Sequence, residues 1–347
     1  MNPACFFGFI LVFRQLFRNF VAQMKQVRPK KNLGQHFLTD LTIAKAIADT
    51  VDEPFADLPV LEVGPGMGVM TQFLIEKPRQ LKVVEIDRES VAYLQENFPV
   101  FLRNEEGGRR NGFSRNEEGG RRNGFSRNEE GGMRKENTLT ADMQQQNISP
   151  SSFLLPPSSK NKIPREIISA DFLRMDLHEV FNGQPFVLTG NYPYDISSQI
   201  FFKMLDNKDL IPCCTGMIQH EVALRLASQP GNKQYGILSV LIQAWYHVEY
   251  LFTVEPSVFN PPPKVQSAVI RMTRNEVTDL GCDEQLFRRV VKTTFNQRRK
   301  MLRVSLKQIL PPDSSLFTLH SSLLTRRPEQ LSIQEFVDLT NKVASAL

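Results

Sequence analysis

The chain has 347 residues, 41% of them hydrophobic and 23% charged, which is the balance of a globular protein with room for one large domain and a smaller one. Its formal net charge of +5 and pI near 9.0 suit a polyanionic partner without requiring one. Cys5, Cys213, Cys214 and Cys282 form neither a CxxC pair nor a Cys/His cluster, which argues against a metal site or a disulfide framework and for a reducing cytoplasm.

Residues 1–23 stand apart from the rest of the chain. Their apolar run, 6–13, is too short to span a bilayer. Arg14 and Arg18 come after that run, whereas a secretory signal carries its charge ahead of it. An acid-free stretch with arginines also resembles a mitochondrial presequence, although serine is missing. Met24 opens Met-Lys-Gln-Val-Arg-Pro-Lys-Lys, a natural start, so 1–23 is expected to be a misassigned extension.

From residue 58 short β-type runs alternate with amphipathic helical runs, the pattern of a mostly parallel sheet covered by helices. The first strand is expected at 58–63 and runs into Val60-Leu-Glu-Val-Gly-Pro-Gly-Met-Gly68, followed by a helix at 69–77. Glycines in such a turn let backbone approach a ligand where a β-carbon would clash. The second strand, 81–86, carries Glu85, 21 residues after Gly64, where nucleoside-binding folds place the acid that bonds the ribose hydroxyls. Dinucleotide folds space their glycines G-x-G-x-x-G over a pyrophosphate. The spacing here, G-x-G-x-G with Pro65 inside, resembles the first motif of S-adenosylmethionine methyltransferases, whose cofactor has no phosphate.

A second helix is expected at 89–97, and then the rhythm stops. Arg-Asn-Glu-Glu-Gly-Gly-Arg-Arg-Asn-Gly-Phe-Ser begins at Arg103, repeats at Arg115 and starts again at Arg127. A 12-residue unit rich in Gly, Arg and Glu buries no core, and Gln- and Ser/Pro-rich stretches come after it. The segment 102–163 is therefore expected to be a disordered insertion, a passive tandem duplication.

The sheet resumes at 167–170. Asp171 comes next, as a helix N-cap, an acceptor for a cofactor adenine amino group, or both. After a fourth strand at 185–189 comes Asn191-Tyr-Pro-Tyr194, at the strand end where α/β sheets present ligand sites. An adenine amine is a poor nucleophile because its lone pair is delocalised. An Asn oxygen and a backbone carbonyl accept its two hydrogens and draw the nitrogen toward tetrahedral geometry. Pro193 fixes the turn, and Tyr194 offers a ring for the base. The same four residues, met in isolation, are a β-turn; their place after a fourth strand, downstream of the glycine loop, favours chemistry.

A helix is expected at 196–205, a fifth strand at 213–219, and two runs, 247–254 and 265–273, that close the sheet. From Glu284 the chain turns helical and basic. Phe287, Val291, Phe295, Leu302 and Leu306 recur at helical spacing toward the core. Lys292, Asn296, Arg299 and Arg303 share another face, expected to track phosphates.

Five segments resemble the KsgA (RsmA) family of small-subunit ribosomal RNA adenine dimethyltransferases. They are Asn32-Leu-Gly-Gln-His-Phe-Leu38, Glu62-Val-Gly-Pro-Gly66, Val84-Glu-Ile-Asp87, Gly190-Asn-Tyr-Pro-Tyr-Asp-Ile-Ser197 and Phe295-Asn-Gln-Arg-Arg-Lys300. The similarity runs from about Val27 to the C-terminus, apart from the insertion. It implies a Rossmann-like α/β methyltransferase sheet at 24–273, with a smaller C-terminal helical RNA-binding domain at 280–347. It implies S-adenosylmethionine held by His36, Leu38, Gly64, Glu85, Asp171 and Asn191, and catalysis by Asn191, Pro193, Tyr194 and Phe259. Phe259 is the aromatic thought to sandwich the flipped base against Tyr194; core packing is its alternative.

RNA contacts are expected from Lys30, Lys31, Arg298, Arg299, Lys300 and Arg303. The implied activity puts two methyl groups on N6 of each of two neighbouring adenines near the 3′ end of small-subunit (16S) RNA. The implied enzyme is a cytoplasmic monomer, with no metal and no membrane, acting late in subunit assembly. One departure lies within a motif: the position of His36 is often Asn in the family. The rival readings are a large-subunit ribosomal RNA adenine methyltransferase, which shares the glycine loop and the Asn-x-Pro-Tyr turn, a DNA adenine methyltransferase, and an assembly or mitochondrial transcription factor that only binds nucleic acid.

Overall fold

In the computed structural model the described residues are 29–30, 35–104, 163–319 and 321–347, so the extension 1–23 and the repeats lie outside them. The first half of the chain forms β1 (Phe37–Leu38), α1 (Leu41–Asp49), β2 (Val60–Val63), α2 (Thr71–Ile75), β3 (Leu81–Glu85) and α3 (Arg88–Asn97). Past the repeats come β4 (Arg165–Ser169), α4 (Leu177–Val180), β5 (Val187–Asn191), α5 (Ser197–Asp206) and β6 (Cys213–Gln219). Then come α6 (His220–Leu226), α7 (Ile237–Gln243), β7 (Tyr246–Val254), β8 (Phe259–Asn260) and β9 (Ser267–Arg274). The chain closes with α8 (Glu284–Asn296), α9 (Leu302–Ser305), α10 (Leu316–Leu319), α11 (Ser321–Leu324) and α12 (Ile333–Ala344).

The large sheet has 7 strands in the order β4-β3-β2-β5-β6-β9-β7. Its first five are parallel, and β9 lies antiparallel to both β6 and β7. From β2 the chain steps outward one way through β3 and β4, then returns to β5 and steps the other way. The switch point between β2 and β5 opens a crevice beyond their carboxyl ends, and both the glycine turn and Asn191 sit there. The expected α/β architecture is the one observed.

The differences are local. The strand expected at 185–189 runs instead from Val187 to Asn191, so Asn191 ends the strand and does not come after it. Glycine allows this: a β-carbon on Gly190 would lie 2.5 Å from the Val63 carbonyl oxygen, and one on Gly216 would lie 2.2 Å from that of Gly190. The two glycines let the centre of the sheet close around the buried Tyr192 ring. The helix expected at 69–77 shortens to α2, because the turn through Gly68 delays its start. Helices α1, α6 and α7 were not anticipated. Asp40 caps α1 by accepting from the amides of Thr42 and Ile43.

The basic C-terminal stretch is not one helix. α8 ends at Asn296, a turn carries residues 297–301, and α9 begins at Leu302. The shared face expected for Lys292, Asn296, Arg299 and Arg303 is thus split between two helices and a turn. The core positions do hold: Phe287, Val291, Phe295, Leu302 and Leu306 are all buried. One hydrophobic cluster runs from Leu61 and Leu188 of the sheet through Tyr246 to Phe287 and Phe336, so no break in the core marks residue 280. The other face of the sheet packs Leu74, Val83, Met217 and Phe259 with α1.

Candidate active site

The glycine turn is set by backbone conformation. Gly64, Gly66 and Gly68 have φ of +67°, +56° and +78°, a region where a β-carbon is strained. Two of them are also crowded, since a β-carbon on Gly66 would meet the Phe37 ring at 3.2 Å and one on Gly68 the Phe98 ring at 2.5 Å. Gly64 differs. Nothing lies within 4 Å of its missing β-carbon, and it lines a cavity of about 280 Å³.

Around that cavity stand His36, Leu38, Glu85 and Asp171, joined by Asn191, Pro193 and Tyr194. Strand β3 delivers Glu85 beside the glycine turn. Its carboxylate accepts from the amides of Gly66 at 3.1 Å and Asp87 at 2.9 Å. Burial pushes the Glu85 carboxyl above its ordinary value, against those two bonds. Asp171 accepts from the Leu173 amide at 2.9 Å as an N-cap, and it also lines the cavity.

Asn191 is oriented by its amide nitrogen, which donates to the His36 carbonyl at 3.3 Å. Its Oδ1 has no protein partner among the described residues. The neighbouring Tyr192 is anchored from three sides. Its amide donates to the Met217 carbonyl at 3.0 Å, its hydroxyl donates to the Thr215 carbonyl at 3.0 Å, and its ring is 1% exposed. The Tyr192 carbonyl accepts no hydrogen bond among the described residues. Beyond Pro193, whose carbonyl accepts from the Ile196 amide at 3.2 Å, the Tyr194 hydroxyl is held by Ser267 Oγ. The turn therefore offers two unpaired oxygens at the mouth of β5 and a ring fixed at its far end.

Phe259 is placed differently from expectation. It is 4% exposed, packs in the core with Leu38, its β1–β8 register partner, and does not line the cavity. The ring beside Tyr194 is His36, with centroids 5.8 Å apart and planes at 28°.

The sequence reading missed Glu62. It is 1% exposed, lines the cavity, and accepts from Thr71 Oγ1 at 2.7 Å. Burial pushes its carboxyl up to about 8, opposed by the Thr71 bond and reinforced by the nearby Glu85. The signal was available: an acid in the middle of a strand otherwise made of valine and leucine has no reason to be there for packing.

Of the expected RNA contacts, Lys30 pairs with Asp87 at 2.5 Å and Glu89 at 3.2 Å, so it is no free cation, and Lys31 lies outside the described residues. Arg298 faces Glu329 at 3.5 Å and donates to the Asn232 carbonyl. Arg299, Lys300 and Arg303 are exposed and make no ion pair with any described residue. Among the described residues no three His, Cys, Asp or Glu side chains gather as a metal cluster requires.

A family model described as "Ribosomal RNA adenine dimethylase" matches residues 26–104 and 154–345, leaving out the repeats. A protein of Bacteroides fragilis named ribosomal RNA small subunit methyltransferase A is 56% identical over 324 residues, spanning 93% of this chain and 95% of that one. In backbone the chain is similar to a dimethyladenosine transferase from Plasmodium falciparum, with a TM-score of 0.59 and 19% identity over 89% of this chain and 98% of that one. It is also similar to the 23S rRNA methyltransferase ErmE, with a TM-score of 0.54 and 21% identity over 89% and 99% of the two chains. At those identities the two structures speak for the fold alone.

Proposed function

This chain belongs to the ribosomal RNA adenine dimethylase family, and from that membership we propose how its site works and on what. It transfers methyl groups from S-adenosylmethionine to N6 of two adjacent adenines in a 3′-terminal hairpin of small-subunit ribosomal RNA. The product is N6,N6-dimethyladenosine, made late in subunit assembly. A single observation carries the reading. Asn191 Oδ1 and the Tyr192 carbonyl stand unpaired at the edge of the cavity that Gly64 and Glu85 also line.

The residues fit the cofactor on three counts. Space is left at Gly64 where any other residue would fill it, Glu85 is a buried carboxylate held at the end of β3, and Asp171 lines the same cavity. Bound there, S-adenosylmethionine supplies a methyl group already activated by its sulfonium, so no strong general base is needed. Glu85 accepts from the ribose hydroxyls and Asp171 from the cofactor's adenine amino group. Asn191 Oδ1 and the Tyr192 carbonyl accept the two hydrogens of the target amine and turn its lone pair toward the methyl carbon. Placement of this kind supplies up to about 7–11 kcal/mol of a barrier. Tyr194 stacks the base, worth roughly 1–3 kcal/mol.

Residues 24–273 form the catalytic part and 280–347 the RNA-binding part in this reading. Arg299, Lys300 and Arg303 meet phosphates as the free cations of the turn between α8 and α9 and of α9 itself. Arg299→Ala with Arg303→Ala should weaken binding of small-subunit RNA by about tenfold and lower the slope of log K against log salt by roughly one to two. A salt titration of wild type and variant reads both quantities. We place the enzyme in the cytoplasm as a monomer; no described helix is long and apolar enough to cross a membrane. The test of the reading is methyl transfer to isolated small subunits that lack the modification. Transfer is expected there and not to large subunits, and the reverse preference would favour the large-subunit alternative.

A further inference from the structure

We propose that Lys203 is a positioning residue for the cofactor: from α5 its ammonium fixes the turn 171–175, so that the Asp171 carboxylate meets the adenine end of S-adenosylmethionine. The inference rests on reading the cavity as a methyl-donor site. It deepens that reading by naming what holds the adenine-reading acid in place.

The first observation is a charge that packing does not call for. Lys203 is half-buried on α5, whose Ile200, Phe201, Met204 and Leu205 belong to the core. It makes no ion pair with any described residue, and burial pushes its ammonium below the ordinary value. A charge in such a place costs free energy unless its donors are used.

Those donors are spent on one short segment. Lys203 Nζ donates to the Leu173 carbonyl at 3.1 Å and to the Met175 carbonyl, and it stands 5.6 Å from the centre of the Phe172 ring. Phe172–Arg174 is a single helical turn, which is marginal by itself. Asp171 caps its start through the Leu173 amide at 2.9 Å. Lys203 caps its end, where a helix leaves carbonyls over. The turn is therefore clamped at both ends, and Asp171 and Leu173 both line the cavity. The cation paired with Asp171, Arg174 at 3.3 Å, has a side chain 88% exposed and fixes little.

The clamp is also tied to the chemistry. At the start of α5 the Ser197 hydroxyl donates to the Tyr194 carbonyl at 3.2 Å. One core-packed helix thus refers the turn that carries Asp171 to the turn that carries Asn191. Without the ammonium, the Leu173 and Met175 carbonyls lose their donor, the turn loosens, and the bond from the adenine amino group to Asp171 weakens.

The experiment measures two ligands by calorimetry, S-adenosylhomocysteine and S-inosylhomocysteine, whose base carries an oxygen in place of the amino group. Wild type is read first; failure to bind either ligand would remove the methyl-donor reading and this proposal with it. Given binding, wild type is expected to favour the adenine ligand by about ten- to hundredfold, the worth of a hydrogen bond to a charged acceptor. Absence of that preference would overturn the proposal alone. Lys203→Met, of similar length and uncharged, is expected to cut the preference to within about threefold, with S-inosylhomocysteine bound within about twofold of wild type. That retained binding shows that the variant folds; should it not fold, Lys203→Gln carries the same comparison. Lys203→Arg, which keeps a cationic donor, is expected to restore most of the preference. An unchanged preference in Lys203→Met would overturn the proposal. An equal loss for both ligands would overturn it too, since that is what a merely structural lysine gives. In an Asp171→Asn background, adding Lys203→Met is expected to change either affinity by less than about twofold; an undiminished second loss would contradict action through Asp171.

Discussion

Asn191→Ala is expected to slow single-turnover methyl transfer by a factor of about 10²–10³ or more, while affinity for S-adenosylmethionine falls only a few-fold. The asymmetry comes from what each atom of the side chain does. Oδ1 has no protein partner among the described residues and in the proposed mechanism accepts from the target amine; Nδ2 is spent on the His36 carbonyl at 3.3 Å. Removing one fixed hydrogen-bonding group aimed at developing charge in a dry site commonly costs two to three orders of magnitude in rate. The cofactor keeps Glu85, Asp171 and the open space at Gly64, so most of its binding survives. Rapid-quench assays at saturating cofactor, with calorimetry beside them, separate the two effects. Undiminished turnover in the variant would remove Asn191 from the mechanism.

The second large effect concerns Glu62. Its carboxyl is moved from an ordinary 4.5 to about 8 in the folded protein by burial, with Thr71 opposing and Glu85 adding to the shift. An acid whose pKa is raised on folding holds its proton in the native state while the unfolded chain has released it. Its stabilising contribution is therefore complete below about 4.5, shrinks as pH rises, and is gone once pH passes about 8. Integrated over that window the change is on the order of 5 kcal/mol. Urea unfolding of the cofactor-free protein is expected to show the wild type losing stability steadily between pH 5 and pH 8. Glu62→Gln, isosteric and able to accept from Thr71, is expected to lose much less over that range and to be the more stable protein above neutrality. Parallel curves for the two proteins would contradict the assignment. The cofactor's cationic groups would favour the carboxylate form, so binding should also release protons; a buffer-dependent heat of binding that shrinks in Glu62→Gln reads this directly.

Much of the site was legible in the sequence because its signals are local. A strand running into G-x-G-x-G fixes where backbone must turn with positive φ, and Gly64, Gly66 and Gly68 all do so. Glu85 and Asp171 belong to strands, or strand ends, whose pattern is plain, and both face the cavity. What escaped depended on long-range packing. The shift of the strand end to Asn191 rests on two glycines meeting in neighbouring strands, Gly190 and Gly216, which no single segment reveals. Phe259 is buried because the β1–β8 pairing, between segments more than two hundred residues apart, packs its ring into the core, whereas His36 lines the cavity as expected. The break between α8 and α9 was hidden by a hydrophobic spacing that continues across it: Phe295 and Leu302 are both buried although the helix between them has ended. Lys30 looked like any N-terminal lysine, and only the fold brings Asp87 and Glu89 to it.

The proposed mechanism has an amine shaped by two oxygens beside the end of one strand so that it meets an activated methyl group. Small subunits from cells lacking the gene, incubated with the purified protein and isotopically labelled S-adenosylmethionine, test this most directly when the RNA is digested both to oligonucleotides and to nucleosides and the two are resolved by mass spectrometry. The predicted result is label in N6,N6-dimethyladenosine alone, at two neighbouring adenines of the 3′-terminal hairpin. Label on another atom, on another base, or on no nucleoside at all would contradict it.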